Sequence, residues 1–135
     1  GKGKFRPLTY GKPGEEPDAE YPLVLTTDRS LYHFHSTMTR RVYGLNVLKN
    51  EELLNIHPED ASRFGVSDGQ MVRVVSRRGE VEVKAKVSDS FSPGTVSMTF
   101  HFAETPTNVL TCCELDPVAK TPSTKVCAVK LEKVA

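Results

Sequence analysis

MVRVVSRRGEVEVKAKV, residues 71–87, decides the fold class. Met71 to Ser76 is rich in β-branched side chains, and Glu80 to Val87 alternates without a break. Successive side chains of a strand point to opposite faces, so Val81, Val83, Ala85 and Val87 share one side and Glu80, Glu82, Lys84 and Lys86 the other. Arg77-Arg78-Gly79 is short enough to join the two runs as a hairpin. One face of this antiparallel pair is core and the other is water.

Upstream of the hairpin, His57-Pro58-Glu59-Asp60-Ala61-Ser62-Arg63-Phe64-Gly65 carries the signals of a short helix. Proline at the first helical position sacrifices no hydrogen bond. Glu59 and Asp60 face the positive end of the helix dipole and Arg63 the negative end. Gly65 supplies the left-handed stop. Before it, Leu45, Leu48, Leu53 and Leu54 fit one side of a second, irregular helix within Tyr43–Asn55, interrupted by Gly44 and asparagines. Tyr21 to Leu25 reads as a buried strand. Downstream, Ser88 to Gly94 is a turn cluster, Thr95 to Phe100 a strand, and Val126 to Glu132 the final strand. Five or six strands with two short helices, and no sustained strand–helix alternation, predict a mainly β, closed or partly closed barrel.

At 135 residues the chain fits one domain with a real core. A net charge of +1 argues against a bulk polyanion, so no nucleic-acid partner is expected, while a small phosphorylated ligand on a local patch remains compatible. No apolar run approaches the ~20 residues of a membrane helix, and no membrane insertion is expected. Residues 1–20 are rich in Gly, Pro, Lys and Glu and have the composition of a linker, leaving residues 21–135 as the globular domain. The opening Gly1-Lys2-Gly3-Lys4 reads as a cut from something longer. Cys112, Cys113 and Cys127 are odd in number and two are adjacent, which is not a disulfide framework. A reducing compartment, the cytoplasm, is the expected location, with the periplasm as the alternative.

The residues that carry chemistry follow the first strand. Thr26, Thr27, Arg29, Ser30, His33, His35, Ser36, Thr37, Thr39, Arg40 and Arg41 form a dense array of donors, which suits a phosphorylated ligand, although composition alone favours a solvated loop, the commoner case. His33 and His35, with His101, are the candidate metal ligands. No CxxC or HExxH spacing accompanies them, and no metal site is assigned. Cys127 sits in an apolar strand as a small hydrophobe, and Cys112-Cys113 has no local base, so no thiol nucleophile is assigned. Neither GxGxxG nor GxxxxGK[ST] occurs. No residue is assigned as catalytic. Three donor-rich segments stand at strand ends: Thr27–Thr39, Thr107–Thr111 and Thr121–Lys125.

Those segments carry a resemblance. YPLVLTTDR, YHFHSTMTRR, HPEDASRFGVSDGQMVRVVSRRGEV, FHFAETPTNVLT, ELDPVAK and KVCAV, in that order from Tyr21 to the end, resemble the C-terminal domain of the catalytic subunit of molybdenum- or tungsten-dependent formate dehydrogenases. That domain belongs to the dimethyl-sulfoxide-reductase superfamily. The resemblance implies a six-stranded double-psi β-barrel that binds molybdopterin guanine dinucleotide. Two such cofactors hold the metal, with iron–sulfur clusters in other domains only. It implies cofactor contacts at Thr27, Asp28, Arg29, His33, His35, Ser36, Thr37, Met38, Asn108 and Lys125, and a position near the substrate funnel for Phe100 and His101. A planar five-donor fork suits Arg29 to phosphate or pterin oxygens, and Lys125 adds a compact charge. Asn108 offers both donor and acceptor. The implied partners are the remaining domains of the same subunit and its electron-transfer subunits.

In the family the histidine loop has a pattern like HTGTMTR, whereas HSTMTR here lacks the glycine and is one residue shorter. The family's metal ligand, catalytic histidine and arginine, and iron–sulfur cysteines lie in other domains, so this chain alone is expected to be inactive. Two alternatives stand beside this reading: the same domain of a periplasmic nitrate reductase, and a cofactor-free β-barrel interaction domain.

Overall fold

A computed structural model describes residues 1–134. It is mainly strands: β1 (Leu23–Asp28), β2 (Leu53–Ile56), β3 (Met71–Ser76), β4 (Glu80–Val87), β5 (Thr95–Thr99) and β6 (Cys127–Lys133). They close into a barrel in the order β1-β5-β2-β4-β3-β6. Pairing is parallel between β1 and β5 and between β2 and β4, and antiparallel elsewhere. The double-psi barrel expected from the resemblance is this fold. Two short helices, α1 (Tyr43–Leu48) and α2 (Pro58–Phe64), and a 3-10 turn at Thr107–Val109 lie outside the strands.

The hairpin is as the alternation predicts. Val81, Val83 and Ala85 are buried, while Glu80, Glu82, Lys84 and Lys86 face water. With Leu23, Leu25, Leu54, Ile56, Val72, Val74, Val96, Met98 and Val129 they form one continuous core. Helix α2 has the expected caps. Pro58 follows the N-cap His57, whose Nδ1 accepts from the Glu59 N–H at 3.2 Å. Gly65 closes the helix at φ 63°, ψ 41°. Asp60 in its first turn is buried and accepts the Gly94 N–H at 2.6 Å, tying the helix to the turn that leads into β5.

The second helix is shorter than the leucine spacing implied. Lys49 turns extended at φ −151°, ending α1 at Leu48, and α1 buries none of its residues. Leu53 and Leu54 belong to β2, where Leu54 and Ile56, two apart on one face, are fully buried. The helical reading puts these leucines on one side with Leu45 and Leu48. The barrel takes them at spacing two, because closure needs a strand between β5 and β4. Strand β1 also runs further than expected, carrying Thr26, Thr27 and Asp28 into the sheet.

The first residues have no regular structure, yet the end of this lead-in is tied down. Glu15, only 8% exposed at its side chain, accepts from Arg77 at 2.5 Å and Arg78 at 2.7 Å. Asp18 pairs with Arg77, whose guanidinium lies 4.5 Å from the centre of the Tyr21 ring. The hairpin tip is thus a docking point and not merely a connection. Burial of Glu15 raises its pKa, but hydrogen bonds from Arg78 and Arg77, an N–H from Ala128 and the Arg78 charge bring it below the ordinary 4.5.

Two outcomes follow from this packing. Leu25 is fully buried in the core, so Leu25→Ala should destabilise the fold by about 2–5 kcal/mol in chemical denaturation through lost transfer energy and a residual cavity. Glu15, with its folded-state pKa depressed, stabilises the fold when ionised; that contribution is present above the unfolded value of 4.5 and is lost as pH falls through the lower folded value. Carboxyl-carbon NMR should place its midpoint below 4.5, and Glu15→Gln should remove that part of the acid dependence. A midpoint at or above the ordinary value contradicts the docking.

Candidate functional site

Barrel topology gathers the donor-rich segments. Strands β1 and β5 run parallel, with Asp28 opposite Thr99, so their C-terminal ends lie together. Strand β6 runs antiparallel to β1, with Cys127 opposite Leu25, so the residues entering β6 arrive at the same end. The loops after β1, after β5 and before β6 therefore form one rim. Lys125 Nζ donates to the Thr27 carbonyl, and Thr27 Oγ1 donates to the Thr124 carbonyl at 2.8 Å, sewing the first and third segments together. Thr107 Oγ1 donates to the Thr99 carbonyl at 2.5 Å and holds the second, with Asn108 exposed beside it.

The individual side chains divide into two groups. Arg29, His35, Ser36, Thr37, Met38, Asn108 and Lys125 are exposed on the rim. Arg29 Nη1 lies 3.5 Å from His35 Nδ1, and Arg29 takes part in no ion pair among the described residues. Thr27 and His33 are interior: Thr27 is 1% exposed and His33 8%. His33 Nε2–H donates to the Lys49 carbonyl at 2.7 Å. This tautomer leaves Nδ1 to accept from the Thr39 hydroxyl at 3.1 Å. Thr39 Oγ1 in turn accepts the Phe34 N–H at 3.0 Å. Both His33 nitrogens are occupied by the protein, which makes it a prop for the loop. Phe100 is half-buried and His101 is buried at 2% exposure, its Nδ1–H donating to the His35 carbonyl at 2.6 Å.

The rim also holds acceptors without donors. Asp28 Oδ2 accepts from Ser97 Oγ at 3.1 Å, but the buried Oδ1 has no protein partner. His101 Nε2 likewise has none. Asp28, His101, Arg29, Ser30, Phe100 and Thr99 line the same small cavity. Two open clefts border the histidine loop. One, of about 370 Å³, is lined by Asp28, Arg29, Ser30, Tyr32, Lys49, Asn55 and Lys86 among others. The other, of about 460 Å³, is lined by Thr37, Met38, Arg40, Arg41, Ala103 and Glu104. No group of three or more metal-ligating side chains is placed to hold a metal ion among the described residues.

Sequence reasoning did not find the residues that brace this rim. Glu52, 3% exposed, accepts the Thr99 N–H at 3.0 Å and the Thr99 hydroxyl, fixing the end of β5. Arg40 donates to Glu104 at 2.8 Å and to Asn46 Oδ1 at 2.8 Å, and lies 5.3 Å from the centre of the Phe102 ring. The Arg40 hydrogen bond holds Glu104 below the usual carboxylate range. Glu52 stands in sequence as one of two adjacent glutamates, with nothing to mark it as the buried one. Arg40 stands in sequence only as one of the donors that follow the first strand.

A barrel end with exposed guanidinium, ammonium, amide and hydroxyl donors, and with buried acceptors left open, defines a binding domain for a polar, phosphorylated ligand that also brings N–H groups. Residues 23–128 match the family model described as "Molydopterin dinucleotide binding domain", and the chain belongs to that family. The donor set and the unpartnered Asp28 Oδ1 fit a pterin dinucleotide, which has phosphates and amino groups together.

Among curated relatives, the chain is 44% identical over 135 residues to the F420-dependent formate dehydrogenase subunit alpha of Methanocaldococcus jannaschii, covering 99% of this chain and 20% of the relative. It is 47% identical over 135 residues to the F420-dependent formate dehydrogenase 1 subunit alpha of Methanococcus maripaludis, with the same coverage of 99% and 20%. A nitrate reductase of Symbiobacterium thermophilum is 40% identical over 138 residues, covering 98% of this chain and 18% of the relative. The chain thus spans about a fifth of the length of these proteins. In three dimensions it resembles acetylene hydratase from Pelobacter acetylenicus at a TM-score of 0.73 and 18% identity, covering 84% of this chain and 18% of that one; this establishes the shared fold.

The cysteines are all free: Cys113 exposed, Cys112 half-buried, Cys127 buried. Burial pushes the Cys127 thiol up to about 11. At about pH 8 its thiolate fraction should be on the order of a thousandth, so iodoacetamide should label Cys113 and leave native Cys127 unmodified by mass spectrometry. Equal labelling would contradict the buried placement.

Proposed function

We propose that this chain is the cofactor-binding domain of a formate dehydrogenase catalytic subunit, forming one wall of a molybdopterin guanine dinucleotide site. The observation that supports it most is the single rim where the ends of β1 and β5 and the start of β6 place Arg29, His35, Asn108 and Lys125. Arg29 and Lys125 would meet phosphate or pterin oxygens. Asn108 and Asp28 would meet the amino edge of a pterin or guanine. Ser36, Thr37 and Met38 would continue the wall. Thr27 and His33 would shape it from behind, and Phe100 would face the substrate funnel.

When bound in the whole enzyme, the dinucleotides would hold molybdenum or tungsten and supply the two-electron chemistry that converts formate to carbon dioxide and a proton. Iron–sulfur clusters in other domains would carry the electrons onward to partner subunits. The role of this chain is to bind and orient the cofactor, and alone it should be inactive. Residues 1–20 serve as the linker to the other domains and residues 21–135 as the binding domain. Leu31 (96% exposed), Tyr32, Phe34, Met38, Tyr43 (83%) and Val47 present apolar surface around the rim, which suits contact with those domains. Among the described residues no helix is long and apolar enough to cross a membrane. The free cysteines favour the cytoplasm.

The intact subunit should contain molybdenum or tungsten and a fluorescent pterin bearing guanine. Metal analysis and pterin fluorescence showing neither would refute the proposal. Dye turnover with formate, and none with nitrate, separates it from the nitrate reductase reading that the 40% identical relative favours. Arg29→Ala should lower pterin retention roughly 10- to 100-fold, the cost of a lost charge-assisted hydrogen bond. Unchanged retention would remove Arg29 from the wall.

A further inference from the structure

The turn that displays Ser36 and Thr37 is conformationally unfavourable. His35 has φ 48° and Thr37 φ 57°, left-handed values adopted by only one other non-glycine residue among those described, Lys120. Threonine is β-branched, and its left-handed conformation must be imposed by its surroundings. Their own side chains do little to impose it. His35 has only the contact with Arg29, and no side-chain hydrogen bond of Thr37 is formed among the described residues.

One residue holds both. His101 Nδ1–H donates to the His35 carbonyl at 2.6 Å, and the His101 carbonyl accepts the Thr37 N–H at 3.0 Å. The two bonds straddle Ser36 and fix the backbone on either side of it. His101 is itself packed and hydrogen-bonded on several sides. Its ring stacks on that of His33 at 4.1 Å between centres and 12° between planes, and meets Phe102 edge-on at 5.0 Å. Its N–H donates to Thr99 Oγ1 at 3.3 Å, and Thr99 is gripped by buried Glu52. His33, the other half of the stack, is fixed by Thr39 and the Lys49 carbonyl. A phenylalanine here would stack without leaving a buried nitrogen unpartnered, as His101 Nε2 is. What the imidazole adds is the Nδ1 donor.

We infer that His101 is a positioning residue: its Nδ1–H and carbonyl clamp the left-handed His35–Thr37 turn, and this clamp holds the rim in the shape that binds the dinucleotide. The binding half of this statement rests on the proposed function above, and the clamp itself does not. It places His101 behind the wall, acting through the loop, and not at the substrate funnel.

The test uses the intact subunit and two readouts, hydrogen exchange of the Arg40 amide and pterin content after gel filtration. The Arg40 N–H donates to the Thr37 carbonyl at 3.0 Å and so reports the turn. His101→Phe should raise its exchange roughly tenfold, as expected for a lost buried hydrogen bond. His101→Asn, whose amide can stand where Nδ1–H was, should restore most of the protection. His101→Phe combined with Thr37→Gly should also recover it, because glycine adopts the left-handed conformation without a clamp. Protection of Val96 and Cys127 amides should be unchanged in all three variants, showing an intact barrel. Unchanged Arg40 exchange in His101→Phe, or no recovery with Thr37→Gly, would overturn the clamp. Pterin content should fall in His101→Phe and recover in His101→Asn; the Thr37→Gly pair is read by exchange alone, since Thr37 is itself on the wall. Protection lost with pterin content unchanged would overturn the positioning role while leaving the proposed function standing. A parent subunit without any pterin would refute the proposed function, and the exchange series would still decide the clamp.

Discussion

The structure depends on the way β1 is shared between β5, its parallel neighbour, and β6, its antiparallel one. A parallel pair cannot be joined by a tight turn, and the chain between β1 and β5 travels through β2, α2 and the β3–β4 hairpin before returning. That long excursion closes the barrel. It also brings three loops far apart in sequence to one end. Every donor with a place in the proposed site, from Arg29 to Lys125, is on that rim because of strand direction alone.

Rim shape is a separate matter from rim location, and it relies on buried polar groups. Glu52 is a buried carboxyl group at the start of β2 with no ion pair among the described residues, satisfied by the N–H and hydroxyl of Thr99 and by the Leu53 N–H. A buried polar group is costly unless hydrogen-bonded, and here the bonds hold the end of β5 in register with the loop beyond it. His33 and His101 extend the same bracing outward to the histidine loop. Arg40, bonded to Glu104 and Asn46, ties the far side of that loop to the segment after β5. The exposed donors are thus carried on a loop whose backbone is fixed from inside.

Much of the fold was legible. The β3–β4 hairpin and α2 announce themselves through local rules of alternation and capping, and both stand where those rules put them. Strand β2 was hidden because four residues, Leu53 to Ile56, satisfy helical and strand spacing alike, and only closure of the barrel decides between them. The docking of Glu15 on Arg77 and Arg78 spans more than sixty positions and leaves no local trace. At the rim, the composition of the loop after β1 pointed to a polar ligand, and family resemblance named its chemistry. Neither distinguished His35, exposed on the rim, from His33, two residues earlier and turned inward. That difference arises from where Thr39 and the Lys49 carbonyl lie in space.

The central claim is that the ligand lies on the end of the barrel where β1 and β5 finish. An experimental structure of the intact, cofactor-loaded subunit tests it most directly. The dinucleotide should lie against Arg29, Asn108 and Lys125. A dinucleotide bound at the opposite end, beside α2 and the Asp60–Gly94 contact, would contradict it.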